Sequence, residues 1–260
     1  MSDTAGLVRD LHGRAARALP ADETEELEGW WLRHAPDGPW WVGSVLPYAD
    51  APPGELDRRV ATAEEFYADR GATARFQISP GAGPDGLDAA LAGRAYRRLS
   101  VMSLQVAPTA PAREPASGAP LQVHLDDRPT PPWFEVWHAL LGEGGDPRSD
   151  WNMLGRVEPP SAYASVTVGH RVLGVGRAVA DRGWAGVFGM ATMPEARGRG
   201  VAREVLAALA GWAQARDAER MYLQVAADNI PALRLYERLG FVELTRYHYR
   251  EAGGGPATSA

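Results

Sequence analysis

Cysteine and lysine are both absent from this chain of 260 residues, and each absence removes a class of chemistry. Without cysteine there are no disulfides, thiolate nucleophiles, iron–sulfur clusters or cysteine-ligated zinc sites. All 27 basic residues are arginine. A Walker A phosphate loop requires its lysine, and Schiff-base chemistry requires an amine nucleophile, so the sequence excludes both.

Charge and hydropathy narrow the class of protein further. The formal net charge of −6 argues against a general nucleic-acid-binding protein. No apolar run approaches the ~18 residues that a membrane span needs, and Asp3 stands where a secretory signal needs basic and then apolar residues. The six histidines show no metal-ligand spacing. We therefore expect a cytoplasmic protein, a monomer or a homodimer, that binds no nucleic acid, membrane or metal.

A stretch rich in proline and alanine divides the chain. Residues 108–119 contain no large apolar side chain and predict a semi-extended linker. This linker separates an N-terminal half, 1–107, from a C-terminal half, 120–252, and the glycine-rich residues 253–260 predict a disordered tail. Short strand patterns alternate with amphipathic helix patterns in both halves, so the sequence predicts an α/β (α+β) fold.

Features of the two halves recur at a constant spacing. Pro47 and Pro194 each end a predicted strand, and Gln77 and Gln224 each lie within one; both pairs are 147 residues apart. This spacing predicts one structural unit used twice. Two unrelated αβ units are the alternative.

The most informative segment joins a strand to a helix. An apolar strand pattern ends at Pro194 and leads into Arg197-Gly198-Arg199-Gly200, which opens a helix pattern. Glycines let the backbone approach a ligand closely, and the unpaired N–H groups of a first helical turn bind anions. The segment therefore predicts a pyrophosphate site. A Rossmann fingerprint would need a third glycine where Arg203 stands, so a dinucleotide-dependent oxidoreductase is a distant alternative.

Further landmarks follow this loop in order. After the strand pattern at 221–225 come Asn229, the pair Leu235-Tyr236 and the turn Gly240-Phe241. The ordered set resembles the GNAT superfamily of N-acyltransferases over about residues 120–250. The resemblance implies two GNAT-like lobes, each a mixed, mostly antiparallel sheet flanked by helices, with acetyl-CoA as the co-substrate.

The resemblance also implies which residues bind the co-substrate. The pyrophosphate would be held by Arg197, Gly198, Arg199, Gly200, Val201 and Ala202. The pantetheine arm would pair like an extra strand with the backbone of Met190, Ala191 and Thr192. A bulge at Gly189 would free an N–H group for the oxyanion.

Two residues of the following helix would complete the site. Tyr236 would contact the co-substrate and would hydrogen-bond or protonate the leaving thiolate. Asn229 would also contact the co-substrate. The alternatives are core packing beside Leu233 and Leu239 for Tyr236, and helix capping for Asn229.

The general base is where this sequence departs from the family's pattern. Many relatives have a glutamate on the strand before the loop, or on the next strand where this chain has Gln224. Asp146 and Asp150, in a loop predicted to be acidic and flexible, are candidates, with solvated loop charges or a water relay as alternatives. We interpret His138 and His170 as structural or exposed rather than catalytic.

The N-terminal half resembles a degenerate copy. The spacing of 147 places Asp50, Pro52 and Pro53 opposite the glycine loop, where prolines donate no N–H and the aspartate repels phosphate. We expect this lobe to shape the acceptor pocket without binding cofactor. The whole chain is predicted to be an N-acyltransferase that moves an acetyl or other short acyl group from acyl-CoA to a small-molecule or peptide amine in a ternary complex. The alternative is a non-catalytic acyl-CoA sensor or assembly module.

Overall fold

The structure, a computed structural model, describes residues 4–52, 54–112, 121–142 and 145–253. The predicted disordered tail lies outside these residues from position 254 onwards. The N-terminal elements are α1 (Thr4–Ala18), β1 (Glu23–Leu27), β2 (Trp30–His34), β3 (Leu46–Pro47), α2 (Leu56–Ala68), β4 (Arg75–Ile78), α3 (Leu87–Gly93), β5 (Arg97–Pro108) and α4 (Thr109–Ala112). The C-terminal elements are β6 (Val123–Asp126), α5 (Pro131–Leu141), α6 (Pro147–Gly155), β7 (Ser161–Val168), β8 (Arg171–Asp181), β9 (Trp184–Thr192), α7 (Val201–Gln214), β10 (Arg220–Ala226), α8 (Ile230–Arg238) and β11 (Val242–Glu251).

One large sheet contains strands from both halves of the chain. Its strand order is β4-β11-β5-β10-β9-β8-β7-β6, and β1, β2 and β3 form a separate three-stranded sheet. The neighbours in the large sheet are antiparallel, except for β9 and β10, which are parallel. The predicted α/β fold with mixed, mostly antiparallel sheets is confirmed.

The last strand of each half lies beside strands of the other half. β5 pairs with both β10 and β11, so an N-terminal strand separates two C-terminal strands. β11 in turn pairs with β4. The order β4-β11-β5-β10 is therefore approximately symmetric, with β4 corresponding to β10 and β5 to β11.

The helices and the parallel pairing follow the same correspondence. The order α2-β4-α3-β5 in the first half matches α7-β10-α8-β11 in the second. A parallel bridge between Val45 and Phe76 matches the parallel pairing of β9 with β10. These matches support the hypothesis of one structural unit used twice, while the domain boundaries stay a prediction.

Different helices cover the two faces of the large sheet. Val187 of β9 belongs to a core cluster with Val205 and Leu209 of α7. The next residue, Phe188, packs on the opposite face against the cluster that contains Leu11 of α1. The alternation follows from the two-residue period of a strand. No helix among the described residues has the length and apolar character needed to cross a membrane.

The predicted linker, 108–119, begins in regular structure. β5 continues to Pro108 because that residue pairs with Arg220 of β10. Thr109 is buried, and its hydroxyl donates to the carbonyl oxygen of Ala218 at 2.7 Å. α4 follows, and residues 113–120 lie outside the described part of the chain. Pairing with β10 thus extends the strand past the point where local composition predicts its end.

The first small sheet also differs from the sequence prediction. The apolar pattern of residues 27–35 predicts a single strand, but β1 and β2 form a hairpin whose turn contains Glu28 and Gly29, both with positive φ. The apolar pattern of residues 40–46 likewise predicts a strand, but the chain turns at 40–44, and only Val45 and Leu46 of this range pair with other strands. The guanidinium of Arg33 donates there to the carbonyl oxygens of Trp41 and Ser44, so these groups are satisfied without a strand partner.

Candidate active site

The predicted pyrophosphate loop lies between β9 and α7. β9 ends at Thr192, a 3-10 turn follows at Pro194–Ala196, and α7 begins at Val201. Gly198 and Gly200 have φ angles of 74° and 82°, in the left-handed region that disfavours residues with a Cβ. The path of the loop therefore depends on both glycines.

The first turn of α7 points unpaired N–H groups toward this loop. Its first helical bond runs from the N–H of Glu204 to the carbonyl oxygen of Gly200 at 3.1 Å. In this fully described helix, the N–H groups of Val201 and Ala202 precede that bond and lack helical acceptors. An ideal Cβ on Gly198 would meet no described atom within 4 Å. The open space, the donors and the helix dipole suit a diphosphate.

Two arginines add positive charge around the same space. Arg197 and Arg199 are both exposed. The Nε of Arg197 donates to the carbonyl oxygen of Thr192 at 3.4 Å, which holds its guanidinium near the end of β9. Arg199 follows within the loop. The structure thus brings together the predicted loop residues Arg197 to Ala202.

A cleft opens where β9 and β10 separate. The two strands pair from Trp184–Arg220 to Val187–Leu223, and no further pairing joins the described residues of β9 and β10 beyond that point. Met190, Ala191 and Thr192 lie on the separated part of β9, whose other edge is bonded to β8. The free edge of β9 is thus available to an extended ligand that pairs with the backbone.

A bulge interrupts β9 at Gly189, as the resemblance to the GNAT superfamily implies. The register with β8 shifts between the pairs Val175–Ala191 and Arg177–Phe188, so a longer segment of β9 opposes a shorter one of β8. Gly189 has a φ of 60°. Such a bulge leaves a backbone group out of the ladder, at the point where the cleft begins.

Asn229 precedes α8 and caps it. Its Oδ1 accepts a hydrogen bond from the N–H of Ala232 at 3.3 Å, which satisfies one of the donors at the start of the helix. The capping role that the sequence left as an alternative is therefore present. A contact with a ligand remains compatible with it, because a carboxamide oxygen has two lone pairs and the amide nitrogen is still available.

Tyr236 lies near the end of α8 and is 7% exposed. Its ring is 5.7 Å from that of Phe241, and it belongs to the cluster that contains Val201 of α7 and Val225 of β10. Met190 of β9 packs against the same cluster. Tyr236 is thus a packed residue of the core that α7 shares with both strands of the cleft.

Burial alone raises the pKa of Tyr236 to about 12. Its phenol therefore stays protonated at neutral pH, which is the state that a proton donor needs. The catalytic role of Tyr236 stays a prediction, and its environment is compatible with that role.

Asp146 and Asp150 do not lie in the flexible loop that the sequence predicted. Asp146 is the N-cap of α6, and Asp150 lies in the first turn of this helix. Asp150 is 2% exposed, and its Oδ2 is 2.9 Å from Nδ1 of His138 on α5. Treating Asp150 as a solvated charge was therefore wrong. The dipeptide Asp146-Pro147 is a helix-start signal that could have revealed α6.

A buried histidine that the sequence analysis did not single out joins the two halves. The Nε2 amides of Gln77 on β4 and Gln224 on β10 lie 2.6 and 3.0 Å from Nδ1 of His12 on α1. An amide nitrogen can only donate, so Nδ1 is the acceptor in this cluster and the ring proton is on Nε2, 3.1 Å from the hydroxyl oxygen of Ser79. Burial, with a smaller effect of Arg33, lowers the pKa of His12 to about 3. In the sequence, this cluster is indicated only by the spacing of 147 residues between Gln77 and Gln224.

The region of the N-terminal half that corresponds to the glycine loop is acidic. The carboxylate of Asp50 is exposed and lies 3.7 Å from Arg9. α2 has Glu55 as its N-cap, without a side-chain capping bond, and Asp57 in its first turn. Pro53 lies outside the described residues. The acidic groups oppose a phosphate there, and the absence of a second cofactor site stays a prediction.

The splayed strands, the bulge and the glycine loop before α7 define the class of GNAT-type acetyltransferases. Solved structures share the fold. A GCN5-related N-acetyltransferase from Kribbella flavida has a TM-score of 0.73 at 16% identity, covering 96% of both chains. A tandem GNAT protein from the clavulanic acid biosynthesis pathway has a TM-score of 0.66 at 16% identity, covering 97% of this chain and 96% of that one.

Sequence comparison gives the family. The uncharacterized N-acetyltransferase YobR of Bacillus subtilis (strain 168) is 27% identical over 248 residues, which are 94% of this chain and 98% of that protein. Residues 4–250 match the family described as "Probable histone acetyltransferase Rv0428c C-terminal", and the chain belongs to this family. It is an acetyl-CoA-dependent N-acetyltransferase, so the predicted class of enzyme is confirmed.

Proposed function

We propose that the chain transfers an acetyl or other short acyl group directly from acyl-CoA to an amine acceptor within a ternary complex. The observation that carries this proposal is the cleft between β9 and β10, which leads from the bulge at Gly189 to the glycine loop before α7. One ligand can lie along the free edge of β9 and reach the first turn of α7. That shape fits a long thioester with a diphosphate at one end.

Different residues around the cleft bind different parts of acyl-CoA. The diphosphate lies at Gly198, Gly200 and the N–H groups of Val201 and Ala202, with Arg197 and Arg199 supplying positive charge. The pantetheine arm pairs with the backbone of 190–192. Gly198 supports this fit, because the open space beside it would be reduced by any side chain. Asn229 binds from the start of α8.

Two groups of the chain take part in the chemical step. The amine nitrogen attacks the thioester carbonyl, so that a carbon–nitrogen bond forms and the carbon–sulfur bond breaks. A backbone N–H freed by the bulge at Gly189 donates to the carbonyl oxygen as negative charge develops on it. The phenol of Tyr236 gives its proton to the departing thiolate.

The N-terminal half forms the acceptor side of the cleft. Gln224, on the separated part of β10, is bonded to His12 of α1, and Phe188 packs on the same face of the sheet. A cavity of about 20 Å³, which has room for a single water molecule, is lined by His12, Gln224 and Arg33 at this junction. Because α1 lies beside the separated part of β10, the lobe without a cofactor loop is placed to shape the pocket that receives the amine.

The acceptor class is an amine of a small molecule or a peptide. The family's description names a histone acetyltransferase, so a peptide amine belongs among the acceptors to be tried. The cytoplasmic location and the monomeric or dimeric state stay predictions.

The sequence alone leaves a non-catalytic acyl-CoA sensor as the alternative, because β9 contains no acidic residue and β10 has Gln224 where many relatives have a glutamate. Thiol release from acetyl-CoA, measured with spermidine, glucosamine and a lysine-containing peptide, separates the two functions. We expect thiol release that depends on at least one of these amines. Tight binding of acetyl-CoA with no release above the hydrolysis background would favour the sensor.

A further inference from the structure

The position of α5 on the sheet suggests which residue is the general base, a role that no acidic residue of β9 can fill. Near its start, the indole N–H of Trp133 lies 3.0 Å from the carbonyl oxygen of Ala164 on β7 and 3.2 Å from that of Gly176 on β8. One turn later, Trp137 packs on Gly189 of β9, where an added Cβ would be 2.6 Å from the indole Nε1. The helix therefore runs from β7 and β8 toward β9, and Trp137, in its C-terminal half, packs on the bulge where the cleft begins.

His138 is the residue that follows Trp137 at this end. Its imidazole stacks on Phe134, with the ring centroids 5.6 Å apart and the planes at 15°. A Cβ on Gly142 would collide with the ring, so the glycine leaves the space that the imidazole fills. The side chain of His138 is still 21% exposed. The ring is held in one orientation and keeps access to solvent.

Asp150 fixes the protonation pattern of this imidazole. Its carboxylate is 2% exposed and lies 2.9 Å from Nδ1. A carboxylate accepts only, so Nδ1 carries the proton and Nε2 is left with a free lone pair. Burial raises the pKa of the Asp150 carboxyl above its usual range, its contact with His138 acts in the opposite direction, and the negative charge of Asp146 at the start of α6 raises it further.

We propose that His138 is the general base of the acyl transfer and that Asp150 is its positioning residue, a proposal that rests on the function proposed above. The acceptor nitrogen loses one proton to Nε2 of His138 as it bonds to the acyl carbon. The resulting imidazolium is stabilised by the carboxylate of Asp150. The thiolate takes its proton from Tyr236, and solvent returns the proton of the imidazolium to the phenolate. The sum is amine plus thioester giving amide plus thiol.

The kinetic test compares His138→Gln with His170→Gln. Gln keeps a donor for Asp150 but cannot accept a proton, whereas His170 is an exposed histidine of the β7–β8 turn. The assay uses acetyl-CoA with either the lysine-containing peptide or spermidine, whichever the wild type acetylates faster. We expect kcat to fall ~10²–10⁴-fold in His138→Gln and to stay at the wild-type value in His170→Gln. The affinity for CoA should not change. Imidazole in the buffer should partly restore His138→Ala. Turnover of His138→Gln near the wild-type rate would overturn the proposal and leave the acyltransferase function standing.

A second measurement does not depend on turnover. Nitrogen-15 NMR of the protein with labelled histidines reports which ring nitrogen of each histidine carries the proton. The signals that are missing in His138→Gln identify those of His138. We expect the proton on Nδ1 in the wild type, and a mixture of tautomers in Asp150→Asn. A proton on Nε2 in the wild type would overturn the proposal even if no amine were acetylated. Absence of transfer with an Nδ1 proton would count against the proposed function instead.

Discussion

At the scale of single residues, removal of the hydroxyl of Tyr236 distinguishes a structural role of this residue from a catalytic one. The ring packs in the core, whereas the hydroxyl is the only part that chemistry needs. Tyr236→Phe keeps the ring and should lower turnover ~10²–10⁴-fold, or roughly 3–5 kcal/mol of barrier. Affinity for CoA and the melting temperature should stay near the wild-type values. Steady-state kinetics, calorimetry and thermal unfolding of the variant measure these three quantities.

Tyr96 offers the matched control for this substitution. Its hydroxyl donates to the carboxylate of Glu64 at 2.9 Å in the N-terminal half. Tyr96→Phe should therefore lose about 1 kcal/mol of stability and keep full turnover. If Tyr236→Phe behaved like Tyr96→Phe, the catalytic assignment would be wrong and the CoA loop would be unaffected.

Gly198 belongs to the same scale, because its φ of 74° is what the loop requires. Gly198→Ala should cost ~1–2 kcal/mol of local strain and weaken CoA binding, as the loop leaves the conformation that meets the phosphates. Gly183, with a φ of 78° and open space around it, lies in the β8–β9 turn away from the loop. Gly183→Ala should carry similar strain with unchanged CoA affinity. Equal affinities for CoA in the two variants, by isothermal titration, would show that the loop has been misassigned.

At the scale of elements, His12 connects α1 with the two corresponding strands β4 and β10. Its folded pKa of about 3 lies below its unfolded value of 6.5, so the unfolded chain binds more protons between these values. Stability is therefore fully present above the unfolded pKa and decreases as the pH falls through this window. From about pH 8 to about pH 5 the loss should be about 2 kcal/mol.

His12→Asn tests this contribution, since the amide oxygen can accept as Nδ1 does but does not titrate. Urea unfolding at both pH values should show a smaller loss in this variant than in the wild type. His170→Asn, at an exposed position, should keep the wild-type loss. The same pH dependence in all three proteins would exclude His12 as its source.

The elements around the site follow local rules and could be predicted from the sequence. α7 and α8 have clear apolar periodicity, and the loop before α7 is marked by Gly198 and Gly200. The apolar strand patterns predict strands at about 162–168, 172–180 and 185–193, which agree with β7, β8 and β9 to within one or two residues. The bulge at Gly189 was also expected in its place.

The elements that the sequence missed depend on partners that are distant in the chain. The turns after β2 are held by the guanidinium of Arg33, and β5 is prolonged by its pairing with β10. The pair His138–Asp150 joins two helices, and neither residue shows this by its neighbours alone. Local patterns specify short-range structure, whereas these features need the tertiary fold.

At the scale of the whole molecule, the exchange of β5 and β11 makes the two halves interdependent. A chain of residues 121–260 lacks β4 and β5, so β10 would lose one of its two partners and β11 would lose both. We expect this fragment to show no cooperative unfolding by circular dichroism, and mixing it with residues 1–112 should restore a folded complex. A fragment 121–260 that unfolds cooperatively on its own would contradict this dependence.

The two halves of the chain differ at the segment before α2 and the corresponding glycine loop before α7. The number of CoA molecules bound per chain is therefore the most direct test of where the acyl-CoA site lies. Isothermal titration of the intact chain with CoA should give one site, because among the described residues the segment before α7 alone combines positive-φ glycines, arginines and a helix start without a side-chain cap. In Gly198→Asp the carboxylate would meet the phosphates, so binding should disappear, while Gly183→Asp should bind as the wild type does. One site that is lost only in Gly198→Asp is the predicted result. Two sites per chain, or unchanged affinity in Gly198→Asp, would contradict the placement of the acyl-CoA site between β9 and α7.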